Sequence, residues 1–134
     1  MTEPVQPLPE PMSTVAELME RMISAVFNEP DAGRRSAAIA DTFAGDVQFT
    51  DVEGTVTGSA ALAAKVTALL EGAPGLVFVH AGPLREIPGT LGVRSWRLGP
   101  VDGAPVVAGT DVAVVRDGRI ATLYTLLDGG PNQA

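Results

Sequence analysis

No cysteine occurs in this chain, and histidine occurs once, at His80. Disulfides, thiolate nucleophiles and cysteine-ligated metals are thereby excluded, and a multi-histidine metal cluster cannot be assembled. Positive charge is also scarce: 9 Lys and Arg stand against 16 Asp and Glu, a formal net charge of -7. A field of that sign repels phosphate backbones and anionic bilayers, so neither nucleic acid nor a membrane is an expected partner. No run approaches the roughly 18 apolar residues of a membrane span. The opening segment MTEPVQPLPEPM lacks the basic start and apolar stretch of a secretory signal. A cytoplasmic location is therefore expected. No phosphate-binding glycine loop, dinucleotide fingerprint or HExxH is present, and no cofactor or metal is expected. Aromatic residues are few, with one Trp, one Tyr and 4 Phe.

What is present suffices for a core, since 46% of the 134 residues are hydrophobic and the length suits one domain. Four prolines between positions 4 and 11 remove backbone donors and favour extended chain. Residues 1–12 are therefore read as a mobile arm, 13–128 as the domain and 129–134 as a tail. Thr14-Val15-Ala16-Glu17 has the form of a capping box, and Val15, Leu18, Met19, Met22 and Val26 follow at helical spacing. A helix of about 14 residues is expected, ending at the Asn28 to Gly33 turn. Alanine-rich Arg34 to Ala44 suits a second helix, and Leu62, Val66, Leu69 and Leu70 form the stripe of a third, capped by Ser59. Arg34-Arg35 reads as a solvated turn.

Gln48 to Asp51 alternates polar and apolar, predicting a strand on which Asp51 shares a face with Phe49. Further strands are expected over 76–84, 91–98, 106–115 and 119–127, with Asp117-Gly118 as a two-residue hairpin turn. Helices first and strands last indicate an α+β fold with a mainly antiparallel sheet. Residues 106 to 115 are apolar at both parities, which predicts burial of both faces. Three helices can cover one face; a second copy of the chain is the natural cover for the other, giving a homodimer.

Within that apolar strand Asp111 stands alone as a charge. An unpaired buried carboxylate is destabilising by several kcal/mol or takes up a proton. A raised pKa of this kind suits a general acid or a neutral hydrogen-bond donor. A bond to a backbone amide or to Arg94 or Arg97 is the structural alternative. Asp51 reads by itself as a turn aspartate, but two carboxylates in one apolar cavity could divide acid and base roles.

Phe43-Ala-Gly-Asp-Val-Gln-Phe-Thr-Asp51-Val-Glu-Gly54, with Gly109-Thr-Asp111 and Asp117-Gly-Arg-Ile120, resembles the nuclear-transport-factor-2-like superfamily. That group includes ketosteroid isomerases and SnoaL-like polyketide cyclases, and the resemblance covers roughly residues 13 to 128. It implies a cone made of a strongly curved sheet and three N-terminal helices, often dimeric through the convex sheet face, with a pocket for a small hydrophobic molecule inside. Asp51 matches the position of the isomerases' base. Asp111 matches that of their enolate-binding acid and resembles the acid/base aspartate of the cyclases.

The resemblance also puts Leu123, Thr125 and Leu127 at the pocket parity of the isomerases and turns Tyr124 to the other face. Phe49, on the face of Asp51, and Met22, a core residue in a fold where core and pocket wall are one surface, are further wall candidates. By their own chemistry His80 is a candidate proton shuttle, with a hydrogen-bonded strand histidine as the alternative, and Trp96 a candidate ligand contact, with core or interface packing as the alternative. Departures are equally specific. Met22 or Ile23 falls where the isomerases keep an oxyanion-hole tyrosine, and neither donates a hydrogen bond. Trp96-Arg97 stands where the cyclases carry a histidine, while Trp96 and Thr125 occupy positions where the superfamily's epoxide hydrolases keep carboxylates. The expected function is a cofactor-independent isomerase- or cyclase-like proton transfer on a hydrophobic carbonyl compound. The alternatives are a non-catalytic ligand-binding module and a structural dimerisation domain of the same fold.

Overall fold

The first helix starts where the capping box puts it. The computed structural model describes residues 12–128, so all but Met12 of the expected arm, and the whole expected tail, lie outside the described residues. In α1 (Val15–Arg21) the Thr14 hydroxyl accepts from the Glu17 amide at 3.1 Å, and the Glu17 carboxylate accepts from the Thr14 amide at 2.8 Å. The helix then runs on without a break as a π-helical segment, Met22–Phe27, closed by an Asn28 N–H bond to the Ile23 carbonyl at 2.9 Å.

Asp31 caps α2 (Ala32–Thr42) by accepting from the Arg34 amide, so this helix both begins and ends earlier than its alanine-rich stretch suggests. Arg35 is not solvated. The residue is 4% exposed, and its guanidinium donates to the Glu29 carbonyl at 2.6 Å and to Thr67 Oγ1 at 2.8 Å, tying α2 to α3 (Ser59–Glu71). Gly58, not Ser59, occupies the N-cap position of α3.

The strands are β1 (Phe43–Asp51), β2 (Gly54–Thr57), β3 (Leu76–His80), β4 (Arg85–Ile87), β5 (Leu91–Pro100), β6 (Val107–Arg116) and β7 (Arg119–Asp128). They form one 7-stranded sheet in the order β2-β1-β7-β6-β5-β3, with β4 also on β5. The sheet is curved and unclosed, and it is mixed: β1 runs parallel to β7 while the other pairings are antiparallel. Pairing of Phe43 with Ile120 draws residues 43 and 44 out of the expected second helix and into β1, which starts five residues before the expected strand. Partner strands thus override alanine propensity. The expected 76–84 strand stops at His80, and β4 is a separate short piece. Asp117 and Gly118 take φ of 53° and 75°, the two positive values that their hairpin turn requires.

The helices pack on one face of the sheet. Val15, Leu18, Met19, Met22 and Val26 are buried against inward residues such as Phe43, Val47, Ala113, Ile120 and Leu123. At Gly92 an added Cβ would lie 2.5 Å from Met19 Sδ and from Val15 Cγ1, so α1 rests directly on the β5 backbone. Along β6 burial alternates. Gly109, Asp111, Ala113 and Val115 are buried, whereas Ala108, Thr110, Val112 and Val114 are half-buried. A single chain therefore buries only one of the two faces that the sequence marks as apolar.

Candidate functional site

Under the helices, at the inner face of the sheet, lies a cavity of about 250 Å³. Its wall is almost entirely apolar. The π-helical segment contributes Ile23 and Phe27, β1 contributes Phe49, and Phe78, Leu98 and Val107 come from β3, β5 and β6. Phe27, Phe49, Phe78 and Trp96 are four of the chain's six aromatic residues, so a scarce residue type is concentrated here. Phe27 meets Phe78 edge-on at 5.5 Å, and Phe78 meets Trp96 likewise at 5.2 Å. A chain of rings thus runs from the helix to the centre of the sheet.

At its end stands Asp111. The residue is 5% exposed, and burial pushes its carboxyl up to about 6, against the opposing hydrogen bonds of Thr125 and Trp96. Trp96 Nε1 donates to Oδ1 at 3.0 Å, and Thr125 Oγ1 donates to the same oxygen at 2.8 Å. The second oxygen, Oδ2, takes no hydrogen bond from the described residues. No arginine pairs with Asp111 either: Arg94 lies opposite it in the sheet register, but its Nε donates to the Gly82 carbonyl. Register explains the convergence. Thr125 is the direct partner of Asp111 on β7, and Trp96 is the partner of Gly109, two residues along β6 on the same face. Gly109 has no Cβ, and one added there would overlap the indole.

Asp51 lines the same cavity, beside Val52 and Glu53 of the β1–β2 turn. Its Oδ1 accepts from the Glu53 amide at 2.9 Å and its Oδ2 pairs with Lys65 of α3 at 3.1 Å. Lys65 also binds the Glu53 carboxylate, and that bond, helped by the one to Asp51 and opposed by desolvation, raises the pKa of the ammonium group. Both expected carboxylates therefore border one cavity, but Asp51 is engaged by a cation and Asp111 by neutral donors.

Of the other expected pocket residues, Phe49, Trp96 and Thr125 belong to the wall, together with Leu127. Met22, His80 and Leu123 do not. Met22 is packed in the core, Leu123 is fully buried opposite Phe49, and His80 Nε2 pairs with Glu20 at 2.9 Å. Tyr124 is on the other face, 46% exposed. Phe27, Phe78 and Lys65 are the residues that pattern reading passes over, and Ile23 enters it only as a match to the isomerases' tyrosine position. Only the scarcity of aromatic residues hints at two of them. Among the described residues no group of three or more His, Asp or Glu could hold a metal ion.

Residues 19–123 match the SnoaL-like domain family. No curated protein matches the chain by sequence. Among solved structures, a SnoaL-like family protein from Agrobacterium tumefaciens str. C58, named as a candidate isomerase, is 32% identical over 84% of this chain and 95% of its own, at a TM-score of 0.77. A candidate SnoaL-like polyketide cyclase from Jannaschia sp. CCS1 is 19% identical over 84% of each chain, at a TM-score of 0.69. A candidate ketosteroid isomerase from Kribbella flavida DSM 17836 is 16% identical over 87% of this chain and 79% of its own, at 0.64. At those last two identities the likeness carries the fold and nothing finer.

Proposed function

The chain belongs to the SnoaL-like domain family, and from that footing we propose that it is a cofactor-independent acid/base enzyme acting on a small hydrophobic carbonyl compound. The observation that carries this reading is Asp111: a buried carboxyl in an apolar cavity, with one oxygen committed to two donors and the other left open. In its neutral form Oδ2–H donates to the substrate carbonyl and stabilises the enolate that forms when the neighbouring carbon loses its proton. Asp51, on the wall of the same cavity, is the partner base: in an isomerisation it takes that proton and returns it to another carbon of the enolate system. In a cyclisation the enolate carbon attacks a second carbonyl of the same molecule, the π pair of that C=O passes to its oxygen, and the proton goes to the alkoxide so formed, so neither reaction consumes a co-reactant. Phe49, Trp96 and Thr125 form the substrate-facing wall.

The name of the 32%-identical neighbour, a candidate isomerase, supports the same class of chemistry. The protein acts as a homodimer joined through the outer sheet face, where Val79, Tyr124 and Leu126 are 52%, 46% and 57% exposed.

Exchange of α-protons of cyclic ketones into deuterated water tests the enzyme reading. Asp111→Asn is expected to slow exchange by about 100-fold or more. Equal rates for the two proteins across a panel of ketones would remove Asp111 from the chemistry.

A further inference from the structure

Three features constrain what can meet Asp111. The first is the hydrogen bonding of the carboxyl itself. Trp96 and Thr125 both donate to Oδ1, so in the neutral acid the proton must sit on Oδ2, because an oxygen that already accepts two donors cannot also present its own proton without repulsion. The second is size. A cavity of about 250 Å³ exceeds the roughly 150 Å³ that houses benzene and falls short of the roughly 300–1,000 Å³ typical of drug-sized ligands. The third is the wall, which around Asp111 is the edge-to-face chain Phe27, Phe78, Trp96, offering ring faces and edges, while the other polar side chains of the lining, Asp51, Glu53 and Thr125, already have hydrogen-bond or ion-pair partners.

We propose that the cavity takes a one-ring unsaturated molecule whose carbonyl oxygen meets Oδ2 of Asp111, with Trp96 and Thr125 as positioning residues that leave only that oxygen free. The proposal deepens the acid/base reading and rests on it for turnover, but not for binding. Positioning has its own physical consequence. Each donor on Oδ1 stabilises the carboxylate, so losing one should raise the pH at which Asp111 titrates. Thr125→Val keeps the branched shape and removes the hydroxyl; Trp96→Phe keeps a ring beside Phe78 and removes the N–H.

The experiment follows the Asp111 carboxyl carbon by NMR across pH in aspartate-labelled protein, and binding of three probes: 3-methylcyclohex-2-enone, 1-methylcyclohexene and progesterone. Expected are midpoints raised by about one pH unit in Thr125→Val and in Trp96→Phe, and restored in Thr125→Ser. The enone should bind at least about tenfold more tightly than the hydrocarbon, one hydrogen bond's worth. Its carbonyl stretch should fall on binding, and progesterone should not compete. An unchanged midpoint in Thr125→Val overturns the positioning role, and this variant decides the point if Trp96→Phe fails to fold. Equal binding of enone and hydrocarbon, or tight binding of progesterone, overturns the ligand class. Since none of these readouts needs turnover, absence of ketone exchange alongside them would overturn the enzyme reading alone.

Discussion

Burial of Asp111 raises its carboxyl pKa from 3.8 to about 6, and the same displacement governs stability. Between those values the native state binds more protons than the unfolded chain, so stability falls as pH rises through this window and stays lowered above it. The displacement corresponds to a penalty on the order of 3 kcal/mol at neutral pH. Asn at this position still accepts from Trp96 and Thr125 and carries no charge. Thermal melts should therefore show Asp111→Asn several degrees more stable than wild type at pH 7.5, with the gap closing below about pH 4. A wild type that is the more stable of the two at pH 7.5 would mean that the carboxyl is not desolvated in solution. Instability at a functional position, retained despite an available remedy, is the pattern expected where activity opposes stability.

At the scale of elements, the cavity depends on how the first helix ends. Asn28 accepts from the Phe78 amide and donates to the Phe78 carbonyl, both at 2.8 Å. It therefore satisfies backbone groups that β3, at the end of the strand order, leaves open. Phe78 in turn packs against Phe27 and Trp96. Asn28→Ala should lower the free energy of unfolding by about 2 kcal/mol, read from the urea midpoint at constant slope. Faster hydrogen exchange should appear at the Phe78 amide, and unaltered exchange there would show that water replaces the clamp without loss. Ile23 and Phe27 each follow a core residue, Met22 and Val26, on the same helical stripe, so one face of the helix serves both the core and the cavity wall.

For the molecule as a whole, the outer face of the sheet is the apolar surface that one chain leaves uncovered. Val93 lies opposite Val112, and Val112 opposite Tyr124, while Thr110 lies opposite Leu126, so these outward residues form a continuous surface. Helices occupy the other side, and a twofold pairing of two such faces would cover both at once. Light scattering on wild type should give twice the 13.8 kDa chain mass, and Leu126→Glu should give the monomer. A monomeric wild type at tens of micromolar would remove the dimer. A retained cavity in the Leu126→Glu monomer, detected by enone binding, would show that the site is complete within one chain.

Local patterns in the sequence determined a good deal of this protein. The capping box, the helical stripes, the hairpin at Asp117-Gly118 and the α+β order are properties of neighbouring residues, and they hold in the fold. The lone charge in an apolar strand likewise marked Asp111, although composition alone, apolar at both parities, did not say which face the helices would cover. Tertiary structure alone decided what each carboxylate meets. Asp111 finds an indole and a hydroxyl from β5 and β7, and Asp51 finds Lys65 from α3, through register and packing that join residues far apart in the chain. Such pairings leave no periodic trace, since side chains 14 or 15 positions apart become neighbours only when a particular register places them on one face.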